Sequence, residues 1–290
     1  MAHGQFTQEF KELWEKDSNV RGLWGALETL YDGLLNECAK LDAKQRATRG
    51  IHEIDKDMQT GVRPMEQLGV ELIALLWDRI ILRTHLKVRD AMRLLFYSCN
   101  TANTYGCAVS ARCIVEHVAL LQYFVDRIPW KDNRRVKRQE MVGFTRKLIT
   151  LYHSSKVDWD RIVSGGMRKM LFSGKWKRKM ETGLPPISDL LEALDTALFQ
   201  AGRQHCKGEI KFLYGILCDV VHPNWGGDFI YAPLMHRSLG CVPALDDHFK
   251  LCAVLFCPCA AEMIKHLIET ARAAEGQKAF AMWKESPTTA

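Results

Sequence analysis

The sequence predicts an all-α protein, a helical bundle with additional helices, and three observations support this. Apolar residues recur every three or four positions in most segments, as Leu27, Leu30 and Leu34 do, which is the spacing of one helix face. No alternating apolar and polar run is long enough to indicate a sheet, and residues 228–234 could form at most a lone extended segment. With 47% hydrophobic and 26% charged residues, the composition is that of a globular protein with a sizeable core.

The same spacing places helices along the chain between short polar connections. The predicted helices cover residues 5–16, 20–46, 64–99, 104–127, 134–153, 158–180, 188–201, 208–221 and 245–274. Residues 47–63 contain Gly50 and Gly61 and are predicted to be a loop or a weak helix. Pro64 suits the first turn of the helix that follows. That segment is predicted to be two helices, or one helix with a kink near residues 84–88.

Two predicted helix ends carry residues that are typical of helix termini. Ser188 is expected to cap the helix that runs to about residue 201. Pro223 disfavours helical geometry at the residue before it, so the helix 208–221 is expected to end at His222. The predicted organisation is an N-terminal helical extension over 1–62, a helical domain over 63–275 with a basic insert at about 127–180, and a tail over 276–290.

The chain is expected to be cytoplasmic, without a membrane span. Its first sixteen residues carry charges where a signal peptide needs an apolar run, and its most apolar stretches are shorter than the ~20 residues of a membrane helix. Ten cysteines without a CxxC pair are predicted to be reduced thiols. Cys257 and Cys259 are predicted to be small apolar residues of a buried helix, since a zinc site needs four placed ligands. No metal and no cofactor are predicted.

Positive charge is concentrated in one segment of the chain. Residues 127–179 contain sixteen Lys or Arg and four acidic residues, a net charge of +12, whereas the whole chain carries +6. This asymmetry indicates a polyanionic partner, RNA or another polyanion. Trp130 and Trp159 are interleaved with the basic residues and could stack on unpaired bases.

The predicted nucleic-acid-binding residues belong to this segment. They are Arg134, Arg135, Lys137, Arg138, Arg168, Lys169, Lys175, Trp176, Lys177, Arg178 and Lys179. A solvated helix face, or a surface for an acidic protein partner, is the alternative interpretation of the same charges.

The segment YGILCDVVHPNWGG, residues 214–227, ends an amphipathic helix with a histidine. Tyr214, Cys218 and His222 follow one line along that helix at four-residue intervals. The exposed carbonyl groups at a helix C-terminus favour a positively charged side chain there, so His222 could simply cap its own helix. The alternative is a functional histidine held at a helix end beside a cleft.

A second polar pair is predicted to meet this line. Arg112 and Glu116 are four residues apart on a helix whose other residues are small or apolar nearly all round. Such a helix is largely buried, so the two charges need each other or a third polar group. We therefore expect the face of Arg112 and Glu116 to contact the line of Tyr214 and His222.

The two motifs together resemble a family of uncharacterised all-helical bacterial proteins, over roughly residues 70–270. An R-x3-E helix is followed about a hundred residues later by a Y-x2-L-(S/C)-x3-H-P motif in that family. The first motif is matched by Arg112 and Glu116. The second is matched by Tyr214, Leu217, Cys218, His222 and Pro223.

The wider group that the chain resembles is the HEPN domains, so the resemblance implies a HEPN-like core for residues 63–275 and a homodimer. Many members are metal-independent ribonucleases of toxin, phage-defence or RNA-processing systems that use an Arg-x4–6-His motif. Arg112 and His117 formally match that motif. Residues five apart on a helix point about 140° apart, however, so His117 is expected to face away from the Arg112 and Glu116 pair.

The resemblance and the charge together predict a nucleic-acid-directed helical protein, and specifically a metal-independent HEPN-type ribonuclease of a defence or toxin system. The candidate catalytic residues are Arg112, Glu116, His117, Tyr214 and His222. Histidine would act as general acid or base, and arginine would stabilise charge developing on phosphate. Two alternatives stay open: a non-enzymatic interaction or assembly module whose Arg/Glu/His cluster is structural, and a small-ligand sensor with a pocket between helices.

Overall fold

The structure is a computed structural model, and it describes residues 5–14, 18–47, 50–61, 65–128, 140, 143–144, 147–148, 185–204, 206–222 and 245–273. Within these residues the longer elements are all helices, so the predicted all-α class is confirmed for this part of the chain. The helices are α1 (Gln8–Glu12), α2 (Ser18–Ala47), α3 (Ile51–Thr60), α4 (Met65–Asn100), α5 (Thr104–Val125), α6 (Ile187–Gln200), α7 (Glu209–Val221) and α8 (Leu245–Ala273).

The chain divides into two compact units that are each assembled from separate stretches of sequence. Unit 1 comprises residues 1–38, 84–122 and 190–269. Unit 2 comprises residues 39–83, 123–189 and 270–290. The linear domain boundaries inferred from the sequence stay a prediction.

Unit 1 has an aromatic core that begins at α1. Phe6 stacks on Phe10 with 4.5 Å between ring centroids, and Phe10 meets Trp24 of α2 edge-on at 5.0 Å. Phe6 also meets Phe96 of α4 edge-on at 4.7 Å. Each of these four rings is at most 5% exposed, so the short α1 is held by ring packing that a five-residue helix could not supply alone.

Unit 2 has a smaller described core around Trp77. Its ring lies 5.9 Å from Phe144, which in turn lies 6.4 Å from Phe124. Asp78, which is 6% exposed, forms an ion pair with Lys44 at 3.2 Å. Burying that carboxylate is possible because a cation accompanies it.

Three predicted elements differ in detail from the structure. The segment predicted as a loop or weak helix contains α3, whose C-terminal glycine, Gly61, has the left-handed φ of 67° that ends helices. The segment with a possible break near residues 84–88 is one continuous helix, α4, in which Thr84 and His85 are 7% and 1% exposed. Ser188 is not a cap, because α6 already begins at Ile187.

One helix, α5, is long and apolar enough to cross a membrane by length and composition. Its apolar window has a mean hydropathy of 1.3, and 56% of that window is buried inside the protein. Core helices of water-soluble proteins meet the same two criteria.

The predicted basic insert lies almost entirely outside the described residues, as does the predicted tail.

Candidate functional site

The candidate site begins with an ion pair on α5. Arg112 donates from Nε to Oε1 of Glu116, one helical turn later, at 2.8 Å. Residues on the opposite side of α5 are fully buried, among them Cys107, Ala111 and Ile114, each 0% exposed. The burial of that side fixes the rotation of the helix, so Arg112 and Glu116 must occupy the side that water can reach.

The second part of the site is α7, which ends at His222. The backbone of His222 is extended, with φ −94° and ψ 144°, while its N–H still donates to the carbonyl of Cys218 at 2.8 Å. An extended residue before Pro223 is what proline requires of its predecessor. The sequence prediction that the helix ends at this histidine is confirmed.

The start of α7 is fixed by a side chain of α6. Gly208 precedes the helix and has no side chain to cap it. Asp195 of α6, only 1% exposed, instead accepts hydrogen bonds from the N–H groups of Gly208 at 2.5 Å and Ile210 at 3.1 Å. A carboxylate at a helix N-terminus satisfies otherwise unpaired donors and opposes the positive end of the helix dipole.

Two contacts join α5 to α7 within unit 1. Tyr214 donates from its hydroxyl to Oε1 of Glu116 at 2.6 Å. Nη1 of Arg112 lies 2.8 Å from Nε2 of His222. The contacts pair the later residue of α5 with the earlier residue of α7, so the two helices run antiparallel here. The expected meeting of these two polar lines is therefore present, and we call the four residues the Arg–His cluster.

The solvent-exposed fraction differs between the members of the Arg–His cluster. The Tyr214 side is closed, since that residue is 8% exposed. The side chains of Arg112 and Glu116 are 23% and 34% exposed, and His222 is exposed. The guanidinium of Arg112 also lies 5.6 Å from the centre of the Tyr214 ring, close enough for a cation–π contact. His222 is therefore the member of the cluster that is most open to an incoming anion.

The surroundings raise the pKa of two members of the cluster. Partial burial alone would lower the pKa of Arg112, but the hydrogen bond to Glu116 and the nearby Tyr214, Cys218 and Glu116 outweigh it and raise that pKa. Burial, followed by the hydrogen bond to and the charge of Glu116, raises the pKa of Tyr214 above its ordinary value of 10.0. Arg112 is therefore a permanent cation, and Tyr214 stays a neutral hydrogen-bond donor.

The contact between Arg112 and His222 specifies the form of the imidazole. A guanidinium can only donate, so Nε2 of His222 must accept and cannot carry a proton. The imidazole in this arrangement is neutral and holds its single proton on Nδ1. The cluster thus contains a basic nitrogen lone pair beside a fixed positive charge.

The sequence-predicted site residues divide into three groups. Arg112, Glu116, Tyr214 and His222 are brought together by direct contacts. His117 is partly exposed on α5, and helical geometry turns it about 140° from Arg112, as expected. The predicted nucleic-acid-binding residues, Arg134 through Lys179, lie outside the described residues. The catalytic and binding roles of all these residues stay predictions.

Two residues near the cluster were not singled out from the sequence. Asp195 anchors α7, but its partners are backbone N–H groups that no sequence motif marks. Tyr105, on the first turn of α5, has its side chain 49% exposed on the same helix as Arg112. The sequence contains only the spacing, a tyrosine seven positions before an arginine on one predicted helix, and the exposure of the ring came from the structure.

A separate group of thiols lies in the core of unit 1. Sγ of Cys99 is 3.6 Å from Sγ of Cys107 and 3.8 Å from Sγ of Cys257, and all three residues are at most 2% exposed. Cys257 and Cys259 lie within α8, as buried helix residues. In the described part of the chain no group of three or more His, Cys, Asp or Glu is placed to hold a metal ion.

The chemistry available to the Arg–His cluster is acid–base and electrostatic. The neutral imidazole can take up a proton, the guanidinium can stabilise an anion, and Glu116 with Tyr214 holds the arginine in place.

Comparisons with known proteins add no family assignment: no family model matches the sequence, and neither a curated protein nor a solved structure matches the chain.

Proposed function

We propose that this chain is a nucleic-acid-directed helical protein that cleaves RNA without a metal ion, as a ribonuclease of a defence or toxin system. It would act in the cytoplasm as a homodimer. The observation that carries the proposal is the 2.8 Å contact between Arg112 and His222 at the exposed end of the Arg–His cluster. A neutral imidazole beside an obligate cation is what cleavage of a phosphodiester by its own 2′-hydroxyl needs.

The proposed reaction starts with an exchange of hydrogen bonds. Negatively charged phosphate oxygens are stronger acceptors for a guanidinium than a neutral imidazole nitrogen. When RNA binds, Nη1 of Arg112 transfers its hydrogen bond from His222 to a non-bridging phosphate oxygen. This frees the lone pair on Nε2 of His222 to act as a base.

The imidazole then takes the proton of the 2′-hydroxyl. The 2′-oxygen forms a bond to phosphorus and the bond from phosphorus to the 5′-oxygen breaks. The imidazolium returns the proton to the departing 5′-oxygen, so the products carry a 2′,3′-cyclic phosphate and a 5′-hydroxyl. Arg112 stabilises the extra negative charge that the phosphate carries during the reaction.

Glu116 and Tyr214 would hold the arginine in place. Glu116 keeps Nε of Arg112 occupied, so the guanidinium can pivot toward the phosphate without leaving the site. Tyr214 donates to the same carboxylate oxygen and fixes its direction. Neither residue needs to exchange a proton in the reaction.

The test is RNA cleavage in EDTA by the wild-type chain and by single variants. We expect Arg112→Ala and His222→Ala to abolish cleavage while circular dichroism shows the same helix content. Arg93→Ala is the matched control, because Arg93 also lies in unit 1 and donates to a tyrosine, Tyr31, at 3.0 Å. Cleavage that survives in His222→Ala, or products without a cyclic phosphate, would contradict the proposal.

Binding supplies a second criterion for the same proposal. An RNA held by lysine and arginine contacts to phosphate should lose affinity steeply between 50 and 200 mM salt, by roughly 10³-fold for six or more contacts. Binding that does not change over this range would argue against an RNA backbone as the partner of the basic segment.

A structural role for the cluster is the second candidate, and one observation favours it. Oε1 of Glu116 accepts from both Arg112 and Tyr214, so the cluster also fastens α7 to α5. In a non-enzymatic interaction or assembly module this fastening would be its whole purpose. Both alanine variants would then lower the unfolding free energy by about 1–3 kcal/mol, and RNA would be neither bound nor cleaved.

A further inference from the structure

Tyr105 is an aromatic residue that the core of unit 1 does not need. It lies in the first turn of α5 with 49% of its surface exposed; Tyr97 of the same unit is also exposed, at 57%, whereas Tyr31 and Tyr214 are 1% and 8% exposed. An exposed ring of this size leaves apolar area in contact with water, about 25 cal/mol for each Å². Its packing therefore does not explain its presence at this position.

The position of Tyr105 relates it to the Arg–His cluster. Tyr105 and Arg112 are seven residues apart on one helix, which is a rotation of about 20° from exact alignment and a rise of about 10.5 Å. Val109 lies between them and is partly exposed. The ring, the valine and the guanidinium thus follow one accessible strip of α5.

We infer that Tyr105 stacks on an unpaired base beside the phosphate held at Arg112, and that the substrate is single-stranded RNA. The inference rests on the proposed ribonuclease function and names its substrate class. In a duplex both faces of each base are covered by neighbouring bases, so a protein ring cannot stack on them. In a single strand the bases can turn outward onto aromatic side chains, and a strand of a few nucleotides can span the distance from Arg112 to Tyr105.

The strip also indicates what Tyr105 does not do. Tyr105 and Arg112 lie about two helical turns apart along α5, so we assign Tyr105 no part in proton transfer at the scissile phosphate. Tyr105 is a substrate-positioning residue, and its loss should weaken binding of the strand while leaving the chemical step intact.

The experiment compares three variants on a short single-stranded RNA and on a perfect duplex of the same sequence, in EDTA. We expect the wild type to prefer the single strand. Tyr105→Ala should raise KM for the single strand on the order of tenfold with kcat nearly unchanged, which is the scale of losing one stacked base. Tyr105→Phe should restore the low KM because it keeps the ring.

Phe199→Ala is the matched control. Phe199 is a comparably exposed ring, at 45%, and lies in unit 1 on α6 rather than on the strip. If Tyr105→Ala and Phe199→Ala behave alike while wild type cleaves RNA, the stacking role is wrong and the ribonuclease proposal stands. Equal cleavage of duplex and single strand also overturns the substrate class alone. If wild type cleaves neither RNA, both proposals fail together.

Discussion

The two sides of α5 carry polar or polarisable groups in very different surroundings. On one side Cys107 meets Cys99 at 3.6 Å among residues that are 0–2% exposed. On the other side Arg112 meets Glu116 and His222 at 2.8 Å, and the side chains of Arg112 and Glu116 are 23% and 34% exposed. One helix therefore carries a buried cluster of thiols on one side, which we call the dry side, and a partly exposed cluster of charges on the other, which we call the wet side.

The difference separates a packing role from a chemical one. A buried thiol behaves as a small apolar side chain and contributes mainly by filling space. The Arg–His cluster instead keeps charge and a nitrogen lone pair where a ligand can reach them, and its hydrogen bonds also fasten α7 to α5. Substitutions on the two sides should therefore affect different measurements.

The largest effect is expected from Arg112→Lys on the wet side. Lysine keeps the positive charge, but a single ammonium cannot bind Glu116 and a phosphate in the geometry of the guanidinium fork. We expect RNA cleavage to fall by roughly 10²-fold, with little change in urea denaturation. Cys107→Ala on the dry side should do the reverse, lowering stability and leaving cleavage per folded molecule unchanged. A lysine variant as active as wild type would contradict this division.

The next largest effect is expected where α5 approaches α4. A Cβ added at Gly106 would lie 2.3 Å from Oγ of Ser98, closer than real Cβ atoms come, and 3.0 Å from its Cβ, which is also tight. Gly106→Ala should therefore lower the unfolding free energy by about 1–3 kcal/mol, measured by urea denaturation. Adding Ser98→Gly should recover part of that loss, because it removes both atoms. Losses that simply add would show that the clash is not the cause.

A smaller effect is expected from Tyr214→Phe, and it should depend on pH. Removing a hydrogen bond to a carboxylate should cost about 1–2 kcal/mol of stability at neutral pH. Because the pKa of Tyr214 is raised above 10.0 in the folded chain, this contribution is complete below pH 10 and is lost as the pH rises further and the tyrosine ionises. The measurement is the difference in urea midpoint between wild type and variant across pH 7–11. A difference that grows above pH 10 would be the wrong sign.

The smallest effect concerns the thiols, which should be silent until the protein unfolds. The contact with Cys99, together with burial, raises the pKa of Cys107, and burial raises the pKa of Cys259 to about 12. Both stay protonated and enclosed, whereas Cys206 is exposed. Labelling native protein with a thiol reagent and mapping by mass spectrometry should modify Cys206 first among the cysteines that the structure describes. Rapid labelling of Cys107 would show that the thiol side is open.

The meeting of Arg112 with His222 could be predicted because local rules fix both helices. The four-residue spacing of Arg112 and Glu116 puts them on one line, and Pro223 forces α7 to end at His222. An ion pair on a largely apolar helix then calls for a further polar partner, and the tyrosine and histidine line offers one. The prediction needed only helix periodicity and the cost of burying charge.

Other features depended on tertiary contacts that periodicity does not contain. Asp195 reaches backbone donors thirteen and fifteen residues later, and such a pair has no sequence motif. Cys99 and Cys257 are 158 residues apart, so only the packed core reveals their contact. Thr84 and His85 look like an interruption of an apolar pattern, but their burial inside α4 shows that the surrounding helices tolerate them.

Because Asp195 fixes the start of α7, it also limits where residues can be inserted into this part of the chain. An extra residue inserted between Gly208 and Tyr214 would rotate everything after it by about 100° and shift it by about 1.5 Å, which would swing His222 off Arg112. An extra residue in the connection before Gly208 would bulge outward and leave the helix in register. The spacing from Gly208 to His222 should therefore be invariant, while the linker ahead of it is free to grow.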